Sequence, residues 1–73
     1  MEKTISTKEY SLIIKKLIQA RKGSGLKQTD VAKKVKRPQS YISRVESGEY
    51  RVDILELKSF AKIYNKSIDW FLL

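Results

Sequence analysis

The residues that break regular structure fall in very few places along this chain. Glycine occurs only at positions 23, 25 and 48, and proline only at 38. The stretches between them carry apolar residues at helical spacing, and none alternates apolar with polar residues as a half-buried strand would. Seventy-three residues divided in this way are enough for one small domain, spanning 1–73, whose short helices share a single core. The expected fold class is all-α, compact and five-helical.

The first helix is expected to open at Ser6. Its side chain and that of Glu9 can each satisfy the other's backbone N–H in a capping box, and Ile5 and Tyr10 stand at hydrophobic-staple spacing. The short segment 1–5 ahead of the cap is expected to be flexible. Tyr10, Ile13, Ile14 and Leu17 mark one apolar face, with Lys15, Lys16, Gln19 and Lys22 largely off it. Gly23 or Gly25 can end the helix in the left-handed conformation. A basic amphipathic helix can also lie on a membrane surface, but here the later segments need its apolar face for their own core. The second helix runs from Gln28 to Val35 with Val31, Ala32 and Val35 inward. The third begins at Pro38, whose fixed φ suits a first helical turn, and ends before Gly48.

A fourth helix opens with Asp53 and Glu56, a second capping box, with Val52 and Leu57 as the staple. Leu57, Phe60, Ala61 and Tyr64 face inward, and Asn65 can close the helix. A last turn or two carries Ile68, Trp70 and Phe71. A core this small needs every large side chain available, so Phe60, Trp70 and Phe71 are assigned to packing rather than to stacking on bases.

Composition narrows the function. Without cysteine or histidine the chain has no disulfide, no thiolate metal site, and neither the usual zinc ligand nor the usual base at neutral pH. No metal and no cofactor is expected. No nucleophile–base–orienter set and no glycine-rich phosphate loop is present, so an enzyme is not expected. No apolar run approaches the ~20 residues that span a bilayer, and no signal-peptide pattern is seen, which gives the expectation of a soluble, cytoplasmic, nucleoid-associated domain.

The charge points to an anionic partner. Sixteen basic residues against eight acidic ones give a net charge of +8. Residues 15–51 hold eleven of the basic groups and three of the acidic ones, so this stretch carries the whole excess while the flanks cancel. Such a segment attracts polyanions and releases their counterions on binding.

Within that stretch, about residues 28–47, lie two short helices joined by a tight turn. At 100° per residue, Ile42, Val45, Pro38 and Glu46 share one side of the third helix. Ser40, Ser43, Arg44 and Ser47 share the other, with Gln39 and Tyr41 on its borders. The outward side is small, polar and basic, and suits a major groove: Gln can bond adenine bidentately, Arg can bond guanine, and small hydroxyls let the backbone approach.

The string LKQTDVAKKVKRPQSYISRVESGE resembles the helix-turn-helix core of the phage Cro and lambda-repressor-like family, also called Xre-type. Arg21, Leu26, Gln28, Val31-Ala32, Gln39 to Ser43, Glu46 and Gly48 occur in the family's register, and Leu57, Phe60-Ala61 and Ile68 to Phe71 resemble its fourth and fifth helices. The similarity covers about residues 12–72. It implies a double-stranded DNA-binding transcriptional regulator, expected to be a repressor, that reads the major groove with the helix about 38–47.

By position, the resemblance assigns base contacts to Gln39, Ser40 and Arg44, with Tyr41 and Ser43 beside them. It assigns phosphate contacts to Lys27, Gln28, Arg37, Ser47 and Arg51, and lets Gln28 brace Gln39. It pairs Arg21 with the inward Glu46 as a structural ion pair. The sequence departs from the family where Lys36 replaces the usual turn glycine, so either Lys36 is left-handed or the turn differs. Lys27 also replaces the usual Ser or Thr cap, and Glu49 stands where a basic residue is common.

One recognition helix reads few base pairs, so a homodimer on an inverted repeat is expected, with Ile68 or Leu73 as candidate dimer contacts. The alternative is an antitoxin or a restriction–modification controller of the same fold, whose role depends on a toxin or another regulator. RNA binding would call for an exposed aromatic platform; Tyr41 and Tyr50 are available, but no RNA-module motif accompanies them. No small-molecule ligand and no membrane partner is indicated.

Overall fold

A computed structural model describes the backbone over residues 4–73 and the side chains from residue 8 onward. Five helices occur among the described residues, with no strand: α1 (Thr4–Gly23), α2 (Gln28–Val35), α3 (Gln39–Ser47), α4 (Ile54–Ile63) and α5 (Ile68–Leu72). α1 begins ahead of the expected cap, so Ile5 and Ser6 lie within the helix, and extending a formed helix by a turn costs little. The side chains of the expected Ser6 box and Ile5 staple, and residues 1–3 of the segment ahead of them, lie outside the described residues.

Each helix end has a chemical cause. Gly25 takes the left-handed conformation at φ 73° after α1; the Leu26 N–H then reaches the Arg21 carbonyl and the Gly25 N–H the Lys22 carbonyl, a Schellman closure. α2 closes in the same way on Lys36 (φ 57°, ψ 44°), with Arg37 N–H on the Ala32 carbonyl and Lys36 N–H on that of Lys33. Lys36 therefore adopts the strained conformation and the turn keeps its shape. α4 closes on Asn65 at φ 57°, with Lys66 N–H on the Ala61 carbonyl at 2.8 Å. Pro38 is the residue before α3, extended at ψ 154°, rather than its first helical residue.

At the N-terminal ends, Asp53 and Glu56 form the full capping box of α4, each at 2.8 Å from the other's backbone nitrogen. The Ser67 hydroxyl accepts from Trp70 N–H to open α5. Lys27 offers no side-chain cap to α2, but the Asp30 carboxylate accepts the Lys27 N–H at 2.8 Å.

The core draws on every helix: Leu17 and Ala20 of α1, Val31 and Ala32 of α2, Tyr41, Ile42 and Val45 of α3, Leu57, Phe60 and Ala61 of α4, then Tyr64 and Phe71. α2 packs on α3 and α4, and α1 on α3 and α5. Trp70 and Ile68 are half-buried against this cluster, with the Trp70 ring edge-on to Phe71 at 5.0 Å. Ile68 thus turns part of its side chain to the core. Tyr10 fastens α1 to the segment after α3: its hydroxyl accepts the Val52 N–H at 2.9 Å. Gly48 serves twice. Its φ of 87° disfavours any side chain, and a Cβ there would sit 3.3 Å from Ile14 Cδ1.

Candidate nucleic-acid interface

α2 packs on α3 with Val31 and Ala32 buried, and the Lys36 turn joins the two helices. Tyr41, Ile42 and Val45 anchor α3 inward, which leaves Gln39, Ser40, Ser43, Arg44 and Ser47 exposed on the opposite side.

A chain of hydrogen bonds runs from this face into the body. Arg21 grips Glu46 with two parallel bonds, Nε to Oε2 at 2.7 Å and Nη2 to Oε1 at 3.0 Å, with Nη1 on the Leu26 carbonyl. Both side chains are nearly buried, 12% and 8% exposed. The bond to Glu46 holds the Arg21 guanidinium above its already high ordinary pKa. Gln28 Nε2 donates to Glu46 Oε1 at 3.0 Å, and Gln39 Nε2 donates to Gln28 Oε1 at 3.1 Å.

The polarity of this chain follows from its first member. A carboxylate beside an arginine can only accept, so Gln28 must turn its amide nitrogen to Glu46 and its carbonyl to Gln39. Gln39 must then donate with one N–H. What remains on Gln39 is a carbonyl oxygen and a second N–H, the acceptor and donor pair that an adenine edge requires.

The helix-turn-helix family model matches residues 17–71. The chain belongs to the Cro-like, Xre-type helix-turn-helix family. Domains of this family bind double-stranded DNA as transcription regulators and are of a non-enzymatic type. No curated protein and no solved structure matches the chain. Among the described residues no cluster of acidic side chains could hold a metal ion, and no helix is long and apolar enough to cross a membrane.

For a helix-turn-helix domain, the exposure of the remaining candidates decides their use. Arg44 and Glu49 face each other at 3.9 Å, both about two-thirds exposed; such a pair is weak and leaves Arg44 available. Ser47 donates to the Arg44 carbonyl at 3.1 Å and receives the Glu49 N–H at 3.4 Å. Arg37 and Arg51, one at each end of α3, each lay the guanidinium over a tyrosine ring, Tyr41 at 4.0 Å and Tyr10 at 4.5 Å. Stacking of this kind steadies a charge without neutralising it. Lys27 is exposed at the start of α2.

Tyr41 is placed differently from the other candidates on α3. It is 8% exposed, stacked on Phe60 at 6.2 Å and edge-on to Tyr50 at 5.1 Å. Its hydroxyl donates to Glu56 Oε2 at 3.0 Å. Its position on α3 lies on the side turned toward α4, and its hydroxyl is taken up by Glu56 rather than presented beside Gln39 and Arg44. Glu56 is the residue that sequence reasoning left with too small a role. Besides capping α4, it receives both the Tyr41 and Tyr50 hydroxyls, the latter at 2.9 Å. Burial pushes the Glu56 carboxyl up, but the Asp53 N–H, the two phenols and the Arg37 charge outweigh that and hold it below the ordinary carboxylate range. Burial, then the bond to Glu56, pushes the Tyr41 hydroxyl well above its ordinary value. The only signal available beforehand was the border position of Tyr41 on the helical wheel.

Proposed function

We propose that the chain is a sequence-specific transcriptional repressor that inserts α3 into the major groove, as a homodimer on an inverted-repeat operator. The observation that carries this reading is the Gln39 amide, held in one polarity by Gln28 and Glu46 on an exposed face that also presents Arg44. In this reading Gln39, Ser40, Ser43 and Arg44 face the bases. Lys27, Gln28, Arg37 and Arg51 meet phosphates, Gln28 through its second N–H; Ser47 does so by exchanging its bond to the Arg44 carbonyl. Lys27, exposed at the start of α2, adds its charge at the helix end that favours an anion. Occupying the groove excludes other proteins by volume alone, which makes repression the simplest consequence.

Two substitutions separate base reading from backbone attraction. Arg44→Ala is expected to cost about 1–3 kcal/mol on the preferred site and to relax preference at one base pair, whereas Lys27→Ala weakens all duplexes alike. Fluorescence anisotropy on matched and single-base-changed duplexes measures both. An equal loss on every sequence for Arg44→Ala would move that residue to the phosphates.

A further inference from the structure

The segment between α3 and α4, residues 48–53, forms no helix or strand, so its shape depends on the partners its backbone groups find. Its later part is anchored at both ends by neighbours in the chain. Tyr50 N–H donates to the Arg44 carbonyl at 3.1 Å, and Asp53 N–H donates to Glu56 Oε1 at 2.8 Å. Arg51 and Val52 lie between these anchors, and there the contacts come from α1. The Tyr10 hydroxyl accepts the Val52 N–H at 2.9 Å and donates to the Tyr50 carbonyl at 3.4 Å. These are backbone groups on either side of Arg51. The ring of the same tyrosine carries the Arg51 guanidinium, 4.5 Å from its centre.

Three contacts of one side chain therefore converge on one arginine: the backbone before it, the backbone after it, and its charge. A phenol suits this task, because its oxygen both donates and accepts while its ring face attracts a cation. The support is firm, since Ile13 of α1 packs against the core and Leu17 is buried in it. Tyr10 also lies ahead of residues 17–71, the part matched by the helix-turn-helix family.

Resting on the reading in which Arg51 meets a phosphate, we propose that Tyr10 is a positioning residue for DNA binding, holding Arg51 and its stretch of loop in place before DNA arrives. Ordering a long side chain on binding costs free energy, and a group already held is spared that cost. Acting through a backbone contact, Tyr10 sets affinity and leaves sequence preference to α3.

Fluorescence anisotropy of the full chain on a mixed-sequence duplex, across a salt series, tests this with single and double variants. Arg51→Ala is expected to lower the salt slope by about one per chain and to weaken binding about fivefold at near-physiological salt. Tyr10→Leu is expected to weaken it about two- to fivefold with the slope retained, and to cost nothing further once Arg51 is alanine. Tyr10→Phe keeps the ring and loses the hydroxyl. It is expected to fall between wild type and Tyr10→Leu and to speed hydrogen exchange at the Val52 amide. The helical signal at the assay temperature checks folding, and should Tyr10→Leu unfold, Tyr10→Phe with and without Arg51→Ala makes the same comparison. Equal losses from the Tyr10 substitution in both backgrounds would make Tyr10 a purely structural residue and overturn its positioning role. So would Tyr10 variants that bind as wild type while Arg51→Ala loses affinity. Arg51→Ala with wild-type affinity and slope would overturn the phosphate contact and the positioning role together, leaving the reading of bases by α3 untouched. A wild type with no affinity for the duplex would overturn the DNA reading itself.

Discussion

At the scale of single residues, Glu46 carries more than its place in the sequence suggests. It neutralises Arg21, orients Gln28 and, through Gln28, sets the polarity of Gln39. Removing it leaves a nearly buried guanidinium without its counter-charge, so Glu46→Ala is expected to cost about 3–5 kcal/mol in a denaturant or thermal melt. Gln28→Ala makes a sharper distinction. It leaves the Arg21–Glu46 pair intact and so spares most of the stability, yet frees the Gln39 amide to flip, and discrimination between an adenine and its replacement should fall while the melt barely moves. The inward position of Glu46 and the match of Arg21 and Gln28 to the family register were legible in the sequence. The burial of Tyr41 was not. A residue on the border of a helical wheel is assigned by its neighbours in space, and Phe60, Tyr50 and Glu56 are distant in the chain.

Among the helices, the ends decide the shape. The glycines, Pro38, Asp53 and Asn65 made the boundaries of α2 and α4 readable, because each supplies a backbone conformation or a cap that few residues supply. The start of α1 was misread because a good capping pair at Ser6 and Glu9 does not prevent the helix from continuing past it. The Lys36 turn was left open because the residue type argued against the conformation that the Schellman hydrogen bonds impose. A left-handed non-glycine residue costs about 1–2 kcal/mol, and glycine recovers most of this after its own chain entropy. Lys36→Gly is therefore expected to raise the melting temperature by a few degrees, whereas Gly48→Ala lowers it, since it meets both the φ of 87° and Ile14 Cδ1.

At the scale of the whole molecule, charge and protonation set the working range. Glu56 sits below its ordinary pKa when folded, so its contribution to stability is present above the unfolded value of about 4.5 and is lost as pH falls through the folded one. Tyr41, Tyr50 and Tyr64 are raised when folded, Tyr41 and Tyr64 chiefly by burial and Tyr50 chiefly by its bond to Glu56. Their contribution is complete below about pH 10 and is lost above it. With no histidine or cysteine in the chain, the melting temperature is expected to be level from about pH 5.5 to 9 and to fall at both ends. Glu56→Gln should lower the plateau and flatten the acid limb.

The net charge of +8 makes all DNA binding salt-sensitive, so affinity alone cannot distinguish a reader of sequence from a polycation. The most direct measurement is selection from a random duplex pool at near-physiological salt, followed by titration of the enriched duplex against its scramble. The account predicts an inverted repeat with half-sites about one helical turn apart, bound about a thousandfold more tightly than the scramble. A pool that fails to enrich, with only weak binding that disappears as salt rises, would contradict the claim that the outward face of α3 reads bases.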